Sequence, residues 1–457
     1  MDTVSGGTAE RAAGPAARTE TGAFPRAGKD VRPGKDVRPG SGRPGPSWAR
    51  PPGPGTPRAV PAALPVLAWA ATRALLLATV LGLVRVPGPD VTSDVSVIYR
   101  GWYEVLRTGT FPLDDVTWQY PPAAALAVLS PALLPFLEYA TAFFVLALAA
   151  DAAAFALLLR AGRRPGRSGA GAWAWIAGVA LLGPTALSRY DLMVTAVAVA
   201  SLLAAARSPR LSGALAGFGA MLKVWPALLL LGTERGRRTR ASWASAAVTA
   251  AALAVLFAAA MPGAFAFLTF QRDRGTEVES LGALVFHVAR HFGWEGQVLL
   301  NYGSVEFLGP YVEAVSAAAL GLTAAAFGWL LVWRLRAREF GAATPFDAAF
   351  TAVLLFTTTS RVISPQYMIW LVGLGAVCLT VRSTSQRLPA ALVLAATAVT
   401  LLEFPLGFAH VVASDATGIT LMVVRNGLLV AASLAACRSL WRSTVTPTGT
   451  PTVTLPG

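Results

Sequence analysis

Long apolar stretches, separated by short arginine-containing segments, follow one another along this chain from Pro61 to near its end. An apolar helix needs about 20 residues to cross roughly 30 Å of hydrocarbon. Ten stretches predict spans, at 61–84, 139–160, 171–187, 190–206, 243–262, 309–334, 345–360, 366–381, 388–403 and 417–437. Composition agrees, since 54% of the 457 residues are hydrophobic and 14% are charged, whereas soluble domains are about 25% charged. We expect an all-α, polytopic integral membrane protein with about 10 full spans plus short or re-entrant helices.

The two ends of the chain differ in composition from the part between them. Residues 1–58 are rich in Gly, Pro, Ala and Arg and contain the tandem copy "GKDVRPGKDVRPG" at 28–40. Such a segment buries too little apolar surface to offset its ordering entropy. We expect a disordered cytoplasmic tail at 1–58, one membrane domain at 59–442 and a disordered C-terminal tail at 443–457.

Arginines cluster in the short segments between predicted spans, and these clusters determine the expected topology. They are Arg160, Arg163, Arg164 and Arg167; Arg235, Arg237, Arg238 and Arg240; Arg334, Arg336 and Arg338; Arg382 and Arg387; Arg438 and Arg442. By the positive-inside rule we expect all five clusters and both termini on the cytoplasmic side of a plasma membrane. The Ala- and Arg-rich composition is typical of a GC-rich bacterial genome. Because the net charge of +14 is spread over these loops, we expect no nucleic-acid partner.

The opposite, extracytoplasmic side then receives the segments 85–120, 263–308 and 404–416 and tight turns at 187–191 and 360–366. Most acidic residues outside the N-terminal tail fall in these segments or at their edges. Any chemistry is therefore expected on this outer side.

Two regions are unsuited to ordinary spans. Segment 121–136 carries four prolines in 16 residues, and the missing N–H donors favour a broken or re-entrant segment. Segments 211–222 and 224–233 are about 18 and 15 Å long at 1.5 Å per residue, too short to cross singly. We expect a helical hairpin that enters from the cytoplasm and turns near Lys223. This lysine is an isolated one, since every other basic side chain after residue 58 apart from histidine is arginine.

Asp94, in the first outer segment, has two interpretations. It lies about ten residues after the first span, where a carboxylate could act as a base on a lipid-linked substrate at the membrane surface. It could instead cap an interfacial helix over 97–106, since Asp is a preferred N-cap residue.

Three further charges interrupt apolar sequence. Arg189 and Asp191 lie at an outer turn, where they could pair with each other or contact a ligand. Lys223 requires a lipid phosphate or a partner such as Asp191.

Two more outer segments carry candidate residues. "TTTSRVISPQYMIWL" places Arg361, Gln366 and Tyr367 around a turn; these residues could also be a capped turn with interfacial aromatic side chains. Residues 280–294 have the spacing of an amphipathic surface helix that carries His287 and His291, for which we expect headgroup or phosphate contact. The sequence offers these histidines no third ligand nearby, so we expect no metal.

Motifs for other chemistries do not occur where they could function. The chain has no GxxxxGK[ST], GxSxG, HExxH or paired CxxC in such a place, so nucleotide hydrolysis, serine hydrolysis and zinc chemistry lack support. We predict no cofactor, and the remaining classes are lipid-linked and transport chemistry.

Several short motifs occur together in a characteristic order. They are "SDVSVIY", followed by "GTFP" and "YPP", then "PTALSRYDLMV", "AMLKVWP" and "SPQYMIWL". In this order, over residues 61–381, the chain resembles the GT-C superfamily of membrane glycosyltransferases, closest to glycosyltransferase family 87. It is also similar to the lipid-phosphate-mannose-dependent mannosyltransferases of GPI-anchor synthesis.

The resemblance implies a GT-C fold and a function. Asp94 would be the general base of an inverting transfer of a sugar, expected to be mannose, from a polyprenyl-phosphate donor to a glycolipid or cell-envelope glycan acceptor on the extracytoplasmic side. The donor phosphate would be bound by Lys223, Arg189 and Arg361. The surrounding pocket would contain Asp191, Tyr120, Gln366, Tyr367, His287 and His291.

One departure from the family pattern and two alternatives remain. Relatives often carry a second aspartate two positions after the first, where this chain has Ser96, so we expect no metal. A transporter or flippase of lipid-linked sugars would need the same phosphate-binding cations without a base, and with charges near the membrane midplane. A scaffold subunit without activity would have no use for Asp94.

Overall fold

The computed structural model of the protein describes residues 63–270 and 275–446, and this part of the chain is mostly helical, as predicted. Its first half contains α1 Leu64–Val80, α2 Arg100–Leu106, α3 Ala124–Leu129, α4 Tyr139–Gly162, α5 Ala170–Leu182, α6 Asp191–Ala205, α7 Pro209–Leu222 and α8 Arg237–Ala260. Its second half contains α9 Phe267–Phe270, α10 Ala283–Ala289, α11 Val312–Arg336, α12 Thr344–Thr359, α13 Tyr367–Leu379, α14 Arg387–Leu401, α15 Phe408–Ala413 and α16 Ala416–Thr444. The predicted tail at 1–58 and most of the tail predicted at 443–457 lie outside the described residues.

Each of the ten predicted spans contains a helix, but the helices differ in length. Within the described residues, five are long and apolar enough to cross a membrane: α4, α8, α11, α14 with its extension to Leu406, and α16. The shorter helices α1, α5, α6, α12 and α13 have 13–17 residues, about 20–26 Å at 1.5 Å per residue. The number of full spans therefore remains a prediction, because half of these helices are shorter than the hydrocarbon core.

Small residues bring α7 and α8 into close contact. A Cβ atom added at Gly213 or Gly217 would collide with the backbone of Ser242 and Ala246, respectively. Both helices thus carry small residues four positions apart, a spacing that lets membrane helices approach closely.

The five arginine clusters lie at one end of the helix bundle. Arg167 pairs with Val381 through the main chain, and Arg338 donates its amide to Thr444 O at 2.9 Å. The Arg235 guanidinium donates to Leu335 O at 2.9 Å. The loops predicted to share one side of the membrane are therefore in contact.

The predicted outer segments meet at the other end. Phe111 donates its amide to Pro262 O at 3.1 Å, and Glu277 donates its amide to Arg361 O at the same distance. Gln119 reaches Tyr302 O at 3.1 Å. The first outer segment, the 263–308 segment and the turn before α13 thus form one layer.

This outer layer contains a small antiparallel sheet that the helical prediction did not include. Its strands are β1 Thr276–Glu277, β2 Gln297–Asn301 and β3 Ser304–Leu308, in the order β1-β3-β2. The turn Tyr302–Gly303 has positive φ at both residues, 47° and 78°, as a two-residue hairpin connection requires. The amphipathic helix expected over 280–294 is present as α10 and a 3₁₀ turn at Arg290–Phe292.

The two segments expected to form a hairpin are helices joined at Lys223. Helix α7 ends at Leu222, Lys223 is extended (φ −159°, ψ 135°), and a 3₁₀ helix follows at Trp225–Leu230. The proline-rich segment is also broken, since α3 gives way to a 3₁₀ turn at Ser130–Leu133.

A buried ion pair joins α1 to α4. Arg73 Nε and Nη2 each lie 2.9 Å from a carboxylate oxygen of Asp151, and both side chains are almost fully buried. Trp69 donates to the same carboxylate at 2.6 Å, and Arg73 Nη1 donates to Ile176 O at 3.0 Å. Because the partners and carbonyl groups satisfy both charges, the pair can be buried between apolar helices.

Candidate active site

A cavity of about 420 Å³ lies where the outer layer meets the tip of the α7 hairpin. It is lined by side chains from the first outer segment, the hairpin tip, the β2–β3 turn and the turn before α13. The predicted site residues among them are Asp94, Tyr120, Lys223, Arg361, Gln366 and Tyr367. Six of the ten predicted residues therefore share one cavity, although they come from three separate parts of the chain.

Asp94 begins a π-helical turn, Asp94–Tyr99, that leads into α2. The N-cap position is Ser93, which makes no side-chain capping bond. The Asp94 carboxylate instead lies 2.9 Å from Arg189 Nη2, with a third of its side chain exposed. The capping interpretation therefore does not describe this carboxylate, which lines the cavity.

Arg189 lies behind Asp94 and is not among the residues that line the cavity. Its Nη1 donates to Val91 O at 2.9 Å and to Ser188 O at 2.8 Å. These two carbonyl groups hold the buried guanidinium against the Asp94 carboxylate. The expected alternative, a mutual pair of Arg189 with Asp191, is not the arrangement found, because each residue has a different partner.

Asp191 pairs with Lys223. The ammonium Nζ lies 2.7 Å from Asp191 Oδ1, which also accepts a 2.7 Å hydrogen bond from Trp370 Nε1. Because Asp191 is 1% exposed, its charge is compensated mainly by these two donors. The isolated lysine thus has the partner that a charge within apolar sequence requires.

Four aromatic rings surround the Lys223 ammonium. The rings of Tyr120, Tyr190, Tyr367 and Trp370 have their centroids 5.1–5.5 Å from Nζ. Such contacts are favourable for a desolvated cation. Trp225, two residues after Lys223, stacks on Trp370 at 5.3 Å between centroids, so the tip of the hairpin is packed against the start of α13.

One side of the cavity is apolar and faces outward. Val224, Phe267, Leu268, Leu320 and Phe356 line it. Three of these side chains are more than half exposed, at 59% for Val224, 62% for Leu268 and 55% for Leu320. The cavity therefore joins a polar, partly charged end to an apolar rim.

Glu277 on β1 holds the turn that carries Arg361 and Gln366. Its carboxylate accepts hydrogen bonds from Ile363 N at 2.6 Å and Ser364 Oγ at 2.7 Å. The sequence placed this acid on the outer side but gave no sign of this role, because the strand that positions it has only two residues.

His287 and His291, predicted for the same pocket, lie outside the cavity lining. His287 Nδ1 lies 2.7 Å from Ser414 Oγ, and Nε2 lies 2.8 Å from Val278 O. His291 Nε2 lies 2.7 Å from Ser414 O. Both rings thus connect α10 to the turn between α15 and α16, and burial lowers the pKa of His287.

A second buried charge cluster supports the outer layer. Arg425 on α16 forms hydrogen bonds of 2.6 and 2.8 Å with the Glu403 carboxylate and donates to Glu279 O at 2.9 Å. Burial, followed by the negative charge of Glu403, raises the pKa of Glu279. Glu403 and Glu279 therefore make structural contacts. Among the residues that the structure describes, Asp94 is the acidic one that lines the cavity.

Comparison with known proteins identifies the family. Residues 118–365 match the profile of glycosyltransferase family 87, a range that includes Arg189, Lys223 and Arg361. Comparisons with curated proteins and with solved structures give no significant match. Since the matched range is more than half of the 457 residues, the chain belongs to glycosyltransferase family 87.

Proposed function

We propose that this protein transfers a sugar, mannose in the first instance, from a polyprenyl monophosphate to a hydroxyl group of a glycolipid or cell-envelope glycan. The observation that carries the proposal is the convergence of a carboxylate, Asp94, and two cations, Lys223 and Arg361, on one cavity. A base and a phosphate-binding group must both contact the reacting atoms in such a transfer.

The proposed reaction is a direct displacement. The acceptor oxygen bonds to the anomeric carbon while its proton passes to the Asp94 carboxylate, and the bond between the anomeric carbon and the phosphate oxygen breaks. The products are the glycosylated acceptor with inverted anomeric configuration and a polyprenyl monophosphate. Arg189 keeps the Asp94 carboxylate oriented, since it pairs with this group from behind the cavity wall.

Charge develops on the departing phosphate, and fixed cations stabilise it most where water is excluded. Lys223 is nearly buried beside the cavity, and its Asp191 partner and aromatic neighbours hold it in place. Arg361 belongs to the turn that β1 fixes through Glu277. Gln366 and Tyr367 line the same region and would contact the sugar or the phosphate.

The apolar rim supports a lipid-linked donor. The exposed side chains of Val224, Leu268 and Leu320 extend from the charged end of the cavity to the outer surface. A polyprenyl chain could lie along this rim while its phosphate reaches Lys223. A soluble nucleotide sugar would gain nothing from such a surface.

The proposed side of the membrane follows from charge. The cavity lies at the end of the bundle opposite the five arginine clusters, and such clusters favour the cytoplasm. We therefore propose an extracytoplasmic active site in a plasma-membrane protein whose termini are cytoplasmic.

The test is turnover by the purified protein with polyprenyl-phosphate-mannose and a panel of glycolipid acceptors. Asp94→Asn should reduce turnover by about 10²–10⁴-fold, the range typical of general-base catalysis. Asp114→Asn is the matched control, because Asp114 is an exposed acid of the same outer segment and does not line the cavity.

Equal turnover by wild type and Asp94→Asn would exclude Asp94 as the base. Movement of the lipid-linked sugar across vesicles without formation of a glycosylated product would instead favour a flippase. Donors with other sugars, tested in parallel, determine whether mannose is the group transferred.

A further inference from the structure

A second cavity, of about 240 Å³, lies at the arginine end of the bundle. It is lined by the end of α6, the start of α7, the segment that leaves the hairpin, the start of α8 and the loop before α12. Its charged residues are Arg167, Glu234 and Arg238. Neither the family assignment nor the proposed sugar transfer uses this cavity.

Three helices connect the two cavities. Helix α6 begins at Asp191, beside Lys223, and its last residue, Ala205, lines the second cavity; α7 runs between the same two regions in the opposite direction. Helix α12 has Pro345 at the second cavity and ends just before Ser360, at the first. At 1.5 Å per residue these helices are about 21–24 Å long, so the cavities lie at opposite ends of the bundle.

Positive charge is concentrated around the second cavity. Local desolvation and the positive charges of Arg207, Arg160 and Arg167 lower the pKa of Arg164, as expected where several guanidinium groups lie close together. Arg238 has one acidic neighbour, Glu234, at 3.9 Å. The surroundings of this cavity thus favour an anion.

Arg334 adds a further cation at the edge of the cavity. Its guanidinium lies 4.9 Å from the ring centroid of Phe340, a residue that lines the cavity. Its Nη1 is buried and has no hydrogen-bond partner within residues 63–270 and 275–446. Arg334 does not itself line the cavity, so it contributes positive charge beside the cavity through its contact with Phe340.

The helix ends that meet at the cavity have an unusual charge pattern. Helix α8 begins with Arg237, Arg238 and Arg240, α7 has Arg210 in its first turn, and neither first turn contains an acidic residue. Cations are unfavourable at the positive end of a helix dipole, whereas an anion is favourable. Asp347, in the first turn of α12, does not neutralise these arginines, because its carboxylate accepts hydrogen bonds from Thr384 and Ser385.

The surface beside the cavity exposes apolar side chains. Leu211 on α7, Trp243 on α8 and Leu335 on α11 are 51%, 42% and 67% exposed. An exposed tryptophan next to a group of arginines is typical of the headgroup level of a bilayer. This surface is therefore suited to contact with phospholipid headgroups.

We propose that this second cavity binds the phosphate-bearing headgroup of an anionic phospholipid from the leaflet on the arginine side. Basic pockets between helices at this level suit such headgroups. The bound lipid contacts both ends of the hairpin that carries Lys223, since Pro209 and Glu234 line the cavity together. The proposal does not rest on sugar transfer, and its test measures lipid binding without turnover.

The experiment counts phosphatidylglycerol molecules bound to the full-length protein by native mass spectrometry, as lipid is titrated into dodecyl maltoside solution. We expect phosphatidylglycerol to bind at least about tenfold more tightly to wild type than to the double variant Arg167→Gln/Arg238→Gln. Phosphatidylcholine should bind weakly to both. Arg442→Gln is the charge control, because Arg442 is exposed at the same end of the bundle but does not line the cavity.

A second variant tests the cavity without any change in charge. Ala342 is an exposed loop residue that lines the cavity. In Ala342→Trp the larger side chain should fill part of the cavity and weaken phosphatidylglycerol binding, as the double variant does. Binding that equals wild type in both variants would overturn the proposal, as would an equal loss in Arg442→Gln.

Inorganic phosphate is titrated separately. If its binding alone depends on Arg167 and Arg238, the cavity binds a soluble anion and the lipid proposal is wrong.

Discussion

The carboxylate of Asp94 lies 2.9 Å from Nη2 of Arg189, and only the aspartate of this pair lines the cavity. Two carbonyl groups, those of Val91 and Ser188, anchor the arginine from the other side. Arg189 is thus held in place on one side and restricts the rotamer of the Asp94 side chain on the other. This geometry favours a positioning role for Arg189 over the phosphate contact expected from the sequence.

Arg189→Gln should therefore lower kcat by about 10–100-fold, because a misoriented base loses its near-attack geometry. The KM for the donor should change little, since the guanidinium does not line the cavity. Arg189→Lys should restore part of kcat, because a lysine ammonium can pair with Asp94 but cannot also hold both carbonyl groups.

Steady-state kinetics with varied donor concentration provides the measurement, and Arg361→Gln provides the contrast. Arg361 lines the cavity, so its replacement should raise the donor KM. A raised donor KM in Arg189→Gln with unchanged kcat would instead make Arg189 a phosphate ligand.

Lys223→Met should lower both the stability of the protein and its use of the donor, and a double variant separates these two effects. The single variant leaves Asp191 buried without its cation, which costs about 3–5 kcal/mol. Adding Asp191→Asn removes the unpaired charge and should restore most of the melting temperature. Donor use should stay about 10²-fold below wild type, because the cation is still missing.

The informative comparison is kcat/KM for the donor at equal stability. If the double variant Lys223→Met/Asp191→Asn turned over donor like wild type, the lysine would serve only to balance Asp191.

The region around Lys223 was predictable from the sequence in its backbone but not in its side-chain partners. Two apolar segments too short to span, with a lysine between them, predicted a hairpin, because length and charge are local properties of the chain. The identity of the partner was less accessible: Asp191 was one of two candidates, and Arg189 was expected to compete for it. That choice depends on side chains from three separate segments, which no local pattern specifies.

The outer layer was predicted least well. The "NYGS" turn between Val298 and Phe307 is the one local sign of the β2–β3 hairpin, since Gly at the second turn position suits a two-residue connection. His287 and His291 had the spacing of a surface helix, but their rings bond to the turn at Ser414, which is more than a hundred residues away in sequence. Tertiary contacts at that separation decide which polar residues line a cavity and which hold it together.

His287 should make stability depend on pH. Burial lowers its pKa below the ordinary value of 6.5, so the unfolded chain binds this proton more readily than the folded protein. The free energy of unfolding should therefore fall as the pH decreases below about 6.5 towards the folded-state pKa.

Melting temperatures measured at pH 7.5 and pH 5.5 check this sign. His287→Gln keeps a hydrogen-bonding side chain that does not titrate, and its melting temperature should decrease less between the two pH values. His410→Gln serves as the comparison: His410 is half exposed on α15 and pairs with Asp415, so its replacement should not lessen the decrease at the lower pH. An unchanged pH dependence in His287→Gln would show that other groups cause the effect.

The Arg73–Asp151 pair should behave as a buried unit. Arg73→Leu alone leaves Asp151 charged between apolar helices and should destabilise the protein by about 3–5 kcal/mol. The double variant Arg73→Leu/Asp151→Leu should recover most of that loss, as judged by thermal unfolding in detergent. Equal destabilisation by the single and double variants would mean that packing, rather than charge, determines the effect.

That pair also has a consequence for biogenesis. Its members are 78 positions apart, so a ribosome synthesises the arginine of the first helix well before the matching acid exists. Until then, the guanidinium sits in the bilayer at a cost of up to about 2.5–3.5 kcal/mol on insertion scales. We therefore expect the first helix to reach its final position in the bundle only after the fourth helix has been inserted.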